Sequence, residues 1–166
     1  KYAHWDGINW ITQTLASGGD YCSIALDSND NPRIAFYGSM SLNYASWDGA
    51  KWIFEIIEKS SNKAPDNSYD ATGWWISLKL DTDDSPHISY YDPINYWGCG
   101  HVKYAFKTTG DWVIEDVAPI FYSDYYIHTS LGLDSQGNPH IAYRGDTGLI
   151  YATNTGSGWV TQTVDF

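Results

Sequence analysis

The sequence predicts an all-β fold made of repeated four-stranded antiparallel units. Two phrases recur along its 166 residues. In the first phrase Tyr-Ala is followed by a Trp, and in the second Leu-Asp is followed by Pro and an alternating apolar run. The phrases begin at Tyr2, Tyr44, Tyr104 and Tyr151 and at Leu26, Leu80 and Leu133. The second phrase returns after 54 and then 53 residues, a period typical of folds whose units bury their apolar faces against neighbours.

Each unit is predicted to contain four short strands. The second strand opens at the Pro, with alternation typical of a half-buried strand, the third carries Tyr-Ala, and the fourth begins at the Trp. Clusters of Asp, Asn, Ser and Gly separate the strands and favour tight hairpin turns. The first strand of each unit is predicted over Ser23–Leu26, Ser77–Leu80 and Ser130–Leu133.

The composition agrees with one aromatic-rich sheet domain over residues 1–166. The formal net charge of −11 argues against a binding face for nucleic-acid phosphates and disfavours anionic membrane surfaces. No apolar run approaches the roughly 20 residues that span a bilayer, so membrane insertion is not expected. Cys22 and Cys99 allow one internal disulfide, and two buried free thiols agree equally well with the sequence.

These units resemble the four-stranded blades of a β-propeller. Residues 46–52 (SWDGAKW) are similar to the Asp-box turn of sialidase-like and lectin-like propellers, with the Gly directly after the Asp. The resemblance covers essentially the whole chain and implies about three and a half blades: a half blade over 1–20 and blades over 21–74, 75–127 and 128–166. A β-sandwich or β-solenoid is the alternative, but a sandwich does not explain why whole four-strand units repeat.

Three and a half blades do not close a ring. An open ring leaves exposed sheet faces and edges that favour association. We therefore expect the propeller to be completed by a second copy of the chain, as a homo-oligomer that is most simply a dimer, or by a missing part of a longer chain.

Candidate ligand contacts lie in the loops that vary in length from unit to unit. The resemblance implies binding on loops at one end of the ring, and insertions lengthen those loops at 59–73, 92–100 and 118–126. Aromatic and polar groups dominate these loops and the strand ends beside them. The predicted contacts are Tyr37, Trp74, Trp75, Tyr91, Asp92, Tyr96, Trp97, His128 and Arg144.

This set of side chains favours a non-catalytic, lectin-like carbohydrate-binding module. Flat aromatic rings stack on the C–H faces of sugars, while Asp92, His128 and Arg144 are suited to bond hydroxyl groups. The alternative is a protein–protein interaction or surface-structural propeller without a small ligand, because Tyr, Trp and Arg also dominate interface hot spots. In either case we expect the protein to be secreted or displayed at the cell surface.

The tryptophans of the repeated phrase are predicted to be structural. Trp10, Trp52, Trp112 and Trp159 share one register with one another, as do the four Tyr-Ala tyrosines. Residues that return at the same position in every unit are expected to pack blade against blade rather than to bind a ligand.

Catalysis, a cofactor and a metal site are not predicted. Arg33 and Arg144 are the only arginines, so the chain alone cannot supply the three-arginine clamp of sialidases of this fold. Glu55 and Glu115 share one register and are expected to face solvent rather than to form an acid/base pair. The Asp-rich turns lack the Gly and the closing Glu of an EF-hand loop and are expected to be plain turns.

Overall fold

The computed structural model describes residues 1–16, 19–60, 72–94, 99–121 and 127–165. In these residues fourteen β-strands form four antiparallel sheets. The half-blade consists of β1 (Tyr2–Trp5) and β2 (Trp10–Gln13). The first blade consists of β3 (Asp20–Leu26), β4 (Pro32–Gly38), β5 (Ser41–Trp47) and β6 (Trp52–Lys59). The second blade consists of β7 (Trp74–Leu80), β8 (Pro86–Pro93), β9 (Gly100–Lys107) and β10 (Trp112–Ile120). The third blade consists of β11 (Thr129–Leu133), β12 (Pro139–Gly145), β13 (Gly148–Asn154) and β14 (Trp159–Asp165).

The predicted repeat of four-stranded units is confirmed. In each blade the strands pair with their neighbours in chain order, so every sheet is a simple meander. β3 and β7 are longer than predicted, because bulges insert an extra residue between Asp20 and Ser23 and between Trp74 and Ser77. In the described ranges, no helix is long and apolar enough to cross a membrane.

In the half-blade, the first blade and the third blade, a carboxylate or amide closes the hairpin between the third and fourth strands. Asp48 Oδ1 accepts hydrogen bonds from the backbone N–H groups of Ala50 and Lys51 at 2.9 and 2.8 Å. Asp6 does the same in the half-blade, and Asn154 does so in the third blade. These side chains satisfy turn donors that no strand can pair, which explains why Asp or Asn recurs there.

A second set of turns joins the first two strands, and in the first blade it depends on Asp27. This carboxylate accepts hydrogen bonds from the backbone N–H groups of Asn29 and Asn31 at 2.9 and 2.8 Å. Its other oxygen pairs with Arg33 Nη2 at 2.7 Å. The Asp27 side chain is 3% exposed, so these donors replace the water that it loses.

Histidine replaces the arginine in the next two blades. Each histidine places one ring nitrogen near the Asp of the turn and the other on the hydroxyl of the Tyr-Ala tyrosine. The groups are Asp81, His87 and Tyr104, and Asp134, His140 and Tyr151. In the third blade these distances are 3.6 Å to the carboxylate and 2.5 Å to the hydroxyl. Both histidines therefore join hairpins within their own blade.

The Asp27 turn predicts a loss of stability in acid. Burial raises the pKa of the Asp27 carboxyl, but its bonds from Asn31, Asn29 and Arg33 outweigh burial and lower the pKa to about 2. Because the folded-state pKa lies below the ordinary 3.8, this carboxylate stabilises the fold fully above that value and loses its contribution as pH falls to about 2. We expect the melting temperature to fall over this range and Asp27→Asn to flatten the fall.

The control for this experiment is Asp111→Asn, the same substitution at an exposed turn position. Melting followed by circular dichroism at a series of acidic pH values checks both variants. Identical profiles for Asp27→Asn and the wild type would contradict the prediction.

The apolar cores lie between neighbouring blades. The core between the first and second blades contains Leu42, Tyr44, Ile57, Leu78, Ile88 and Tyr90. The core between the second and third blades contains Val102, Tyr104, Val117, Leu131, Ile141 and Tyr143. Each blade thus buries a face that it could not bury alone, as the period of the repeat predicted.

The tryptophan that opens the fourth strand lies across the boundary with the preceding blade. Trp52, Trp112 and Trp159 each meet the Tyr-Ala tyrosine of that preceding sheet edge-on, with ring centroids 5.2–5.3 Å apart and interplanar angles of 70–72°. The predicted packing role of these three tryptophans is confirmed. Trp10, at the same position in the half-blade, is 67% exposed.

The prediction that Glu55 and Glu115 face solvent is wrong. Each accepts a hydrogen bond from the indole Nε1 of the next blade's tryptophan, at 3.2 and 2.9 Å. Gln13 occupies the same position in the half-blade and accepts the bond from Trp52 at 2.8 Å. The indole N–H at each boundary loses water on packing, and an acceptor at this position compensates for that loss.

A cavity of about 560 Å³ separates the half-blade from the first blade. Tyr2 and Ala3 line one side, and Ile24 and Phe36 line the other. The cavity lies along one edge of β1. In the three complete blades, the third strand pairs with the second strand at the corresponding edge. Cys22 also lines this cavity, and it forms no disulfide with Cys99.

Candidate functional site

One end of the three blades carries a row of ring side chains. We call this end, at which β3, β7 and β11 begin, the loop end. Tyr21, Trp75 and His128 occupy the same position in their blades, two residues before the serine of the first strand. The ring centroids of Tyr21 and Trp75 lie 4.6 Å apart, and those of Trp75 and His128 lie 3.7 Å apart. These three residues, the aromatic row, therefore form a continuous surface across three blades.

Unusual backbone geometry positions the first two rings of the row. Tyr21 has φ of 49° and Trp75 has φ of 53°, in the left-handed region that residues with a Cβ rarely adopt. Both residues lie in the bulges of β3 and β7, where an extra residue redirects the side chains. Thr129 Oγ1 also donates a hydrogen bond to the Trp75 carbonyl at 2.8 Å. The row is thus held by its sheets and not by a loose loop.

Three other predicted aromatic contacts lie beside the row at different depths. Trp74 is half-buried and stacks on Tyr21 with centroids 5.6 Å apart. Tyr37 is half-buried at the end of β4, where burial and the nearby Asp20 carboxylate raise the pKa of its hydroxyl. Tyr91 is only 1% exposed in the core between the second and third blades. Its burial corrects the expectation that this ring contacts a ligand.

Polar groups flank the third-blade end of the row. Thr129 of β11 pairs with Tyr143 of β12. His128 precedes Thr129 and Arg144 follows Tyr143, so these two residues lie side by side at the loop end of the two strands. Both side chains are exposed. An imidazole and a guanidinium at the edge of an aromatic surface supply donors for hydroxyl or carbonyl oxygens.

Asp92 belongs to an ion network between the first and second blades. Lys103 Nζ lies 2.6 Å from Asp92 and 2.7 Å from Glu58. Thr72 Oγ1 donates to Asp92 at 2.7 Å, and the Tyr90 hydroxyl donates to Glu58 at 2.6 Å. Burial lowers the pKa of the Lys103 ammonium, but its bonds to the two carboxylates outweigh burial and raise the pKa. Lys103 is therefore held in its charged form, which is not nucleophilic.

The predicted set and the observed surface overlap in part. The structure brings Trp74, Trp75 and His128 together, while Tyr96 and Trp97 lie outside the described residues. The predicted set omits Tyr21, although its register with Trp75 and His128 was visible in the sequence.

The ionisable side chains considered for catalysis or metal binding are engaged elsewhere in the described structure. In the described part of the chain, no three His, Cys, Asp or Glu side chains are grouped to hold a metal ion. His87 and His140 bond a tyrosine hydroxyl, and Glu55 and Glu115 bond an indole N–H, so each is engaged within the scaffold. What the loop end offers is flat apolar surface with polar donors at one edge.

No protein-family model and no curated protein matches this sequence. Solved structures do match. A fucose lectin from Kordia zhangzhouensis, in complex with methyl-fucoside, superposes with a TM-score of 0.55 at 17% identity, covering 87% of this chain and 99% of that one. AofleA from Arthrobotrys oligospora gives a TM-score of 0.59 at 14% identity, covering 98% of this chain and 48% of that one. An AofleA variant with three arginines replaced by alanine gives 0.58 at 14% identity, covering 97% and 48%.

These similarities concern the fold. The match extends over nearly all of this chain and about half the length of AofleA. Together with the repeated four-stranded sheets, it confirms the predicted β-propeller of about three and a half blades. At identities of 14–17%, the superpositions show a shared fold alone.

Proposed function

We propose that this chain is a non-catalytic, lectin-like module that binds carbohydrate on the aromatic row. The observation that carries the proposal is the contact of Tyr21, Trp75 and His128 in one surface across three blades. A pyranose ring presents a face of C–H groups that packs on such rings, while its hydroxyl groups remain at the edge for polar contacts. The half-buried state of Tyr21 and Trp75 leaves part of each ring accessible to a ligand.

Backbone strain at the row supports a binding role. A non-glycine residue in the left-handed region costs on the order of 1 kcal/mol, and both Tyr21 and Trp75 adopt it. A smaller or more flexible residue would avoid part of this cost. Strained positions of this kind cluster at ligand sites, where the position of a side chain matters more than local stability.

The polar contacts are assigned by position. His128 and Arg144 lie at the exposed edge of the row, where they can donate hydrogen bonds to sugar hydroxyl groups. Trp74 and Tyr37 extend the apolar surface on the first-blade side. Tyr96, Trp97 and Asp92 stay predicted contacts, and Tyr91 is left out because it is buried. The ligand expected from this set is a neutral sugar held by stacking and a few directional bonds.

Fucosides are the first ligands to test. The Kordia zhangzhouensis protein of similar fold is a fucose lectin solved with methyl-fucoside. A 6-deoxy sugar also suits an aromatic surface, because its methyl group adds apolar area without a hydroxyl to satisfy. A secreted or cell-surface location fits this function, because glycans are displayed there.

Replacing Trp75 with alanine tests the proposal. Trp75 is the central ring of the row, so its loss should remove specific signals on a glycan array and weaken methyl-fucoside binding roughly 30-fold or more by calorimetry. The matched control is Trp47→Ala, at the opposite end of the first blade, which should bind as the wild type does. Circular dichroism confirms that both variants fold.

A silent array with folded wild-type protein would contradict carbohydrate binding. It would favour the alternative of a protein partner on the same surface. Binding that survives Trp75→Ala unchanged would place the sugar elsewhere and overturn the assignment of the row.

A further inference from the structure

Each blade boundary within the chain is built from the same three groups. A tyrosine and a Gln or Glu face each other on the third and fourth strands of one sheet, and the tryptophan of the next sheet docks on both. The three paired platforms are Tyr2 with Gln13, Tyr44 with Glu55, and Tyr104 with Glu115. The tryptophans that dock on them are Trp52, Trp112 and Trp159. Aromatic edge contact and the indole hydrogen bond recur at all three boundaries.

The third blade presents a fourth platform. Tyr151 on β13 pairs directly with Gln162 on β14, in the register of the other three platforms. Gln162 is exposed. Its amide oxygen accepts an indole N–H as readily as that of Gln13 does.

Apolar side chains around this fourth platform are exposed although their counterparts are buried. Leu149, two residues before Tyr151, is 45% exposed, while Leu42 and Val102 at the same position are 0% exposed. Val164, five residues after the tryptophan, is 58% exposed. At the same position in the first two blades, Ile57 is 9% exposed and Val117 is 7% exposed. The outer face of the third blade thus has the composition of a blade boundary.

The half-blade presents the complementary group. Trp10 stands at the register of the docking tryptophans and is 67% exposed. Its ring contact is with Trp5 of the same hairpin, at 5.9 Å between centroids. One surface of the chain therefore offers a docking tryptophan and another offers a platform of matching chemistry.

We propose that Trp10 of one copy docks on the platform formed by Tyr151 and Gln162 of a second copy. The indole meets Tyr151 edge-on and donates its N–H to the Gln162 amide oxygen, and the half-blade covers Leu149 and Val164. The contact joins two different surfaces, so it is head-to-tail, and two such contacts related by a twofold axis close a dimer. Its central groups are uncharged, which suits the chain's net charge of −11 because no further carboxylate is buried.

Size-exclusion chromatography with light scattering at micromolar concentration tests this contact. We expect twice the 18.7 kDa mass of one chain. Trp10→Lys and, separately, Val164→Lys should each weaken self-association roughly 30-fold or more, because each puts a charge in the apolar contact. Ile8→Lys changes a 79% exposed residue in the turn of the half-blade and should leave the mass unchanged.

A mixing experiment distinguishes head-to-tail contact from pairing of like surfaces. The Trp10→Lys protein keeps an unchanged platform, and the Val164→Lys protein keeps an unchanged Trp10. In an equimolar mixture the second protein can dock its Trp10 on the platform of the first, so we expect a weak heterodimer held by one intact contact. Circular dichroism of both variants, whose changed side chains are exposed, should match the wild type. A single-chain mass for the wild type, or an unchanged dimer in Trp10→Lys, would overturn the proposal.

Discussion

Replacing Trp112 with alanine is expected to lower the free energy of unfolding by about 3–5 kcal/mol. Trp112 lies at the boundary between the first and second blades, with its ring 5.3 Å from that of Tyr44 and its Nε1 bonded to Glu55. Lys107 Nζ lies 5.8 Å from the indole centroid and adds a cation–π contact. Alanine removes all three contacts and leaves a void between two rigid sheets. Urea unfolding at one fixed protein concentration measures the loss.

Two milder substitutions separate the parts of this contact. Trp112→Phe keeps an aromatic ring and removes the indole N–H, so it should cost less than half as much as alanine. Glu55→Gln keeps an acceptor, as Gln13 does in the half-blade, and should change stability by less than about 1 kcal/mol. If Trp112→Ala unfolds at the same urea concentration as the wild type, the boundary does not depend on this residue.

Replacing Lys103 with methionine is expected to cost about 3–5 kcal/mol, because it leaves two carboxylates buried without their cation. The side chains of Lys103, Glu58 and Asp92 are 15%, 21% and 18% exposed, so water reaches them only partly. Without the ammonium between them, the two carboxylates also repel each other. Thermal melting measures the loss of stability.

The triple variant Lys103→Met, Glu58→Gln, Asp92→Asn is the matched control. It removes all the charges together and should recover much of the stability, because no buried carboxylate is left unpaired. A Lys103→Met protein that melts like the wild type would show that water already screens the network.

The fold was predictable because the repeated residues are the ones that determine it. Leu-Asp and Pro bound the hairpin between the first two strands of each blade. Asp or Asn closes the hairpin between the last two strands in the half-blade, the first blade and the third blade. The tryptophan marks both the start of the fourth strand and the blade boundary. Bulges at Tyr21 and Trp75 were not predicted, because an inserted residue breaks the alternation from which strands are inferred.

The candidate site was predictable only where it keeps the register of the repeat. Trp75 and His128 hold corresponding positions in the repeat, and the structure places their rings in contact. The alternating pattern of β8 predicts that one face of the strand is exposed, but every residue from Pro86 to Tyr91 is buried. The reason is that the second blade is covered on both sides, so Tyr91 is buried as well. Asp92 lies in an ion network with Lys103 and Glu58. Glu58 is on another blade, 45 residues from Lys103 in the sequence, and no local pattern reveals such a partner.

The polar side of each boundary was missed for a chemical reason. A Glu in a strand usually faces water, so Glu55 and Glu115 were assigned to solvent. In the structure the indole N–H of the next tryptophan makes an acceptor at this position necessary. The recurrence of Gln13, Glu55, Glu115 and Gln162, which share only acceptor oxygens, was the available signal.

The stacking of sheets also determines the order in which the chain should open. Cores join the first blade to the second and the second to the third, so cooperativity passes between neighbours as in a short one-dimensional array. The second blade, covered on both faces, should show the slowest amide hydrogen exchange. In a chain that is not paired with a second copy, the half-blade, held through Tyr2 and Gln13 on Trp52, should exchange fastest and open before the rest.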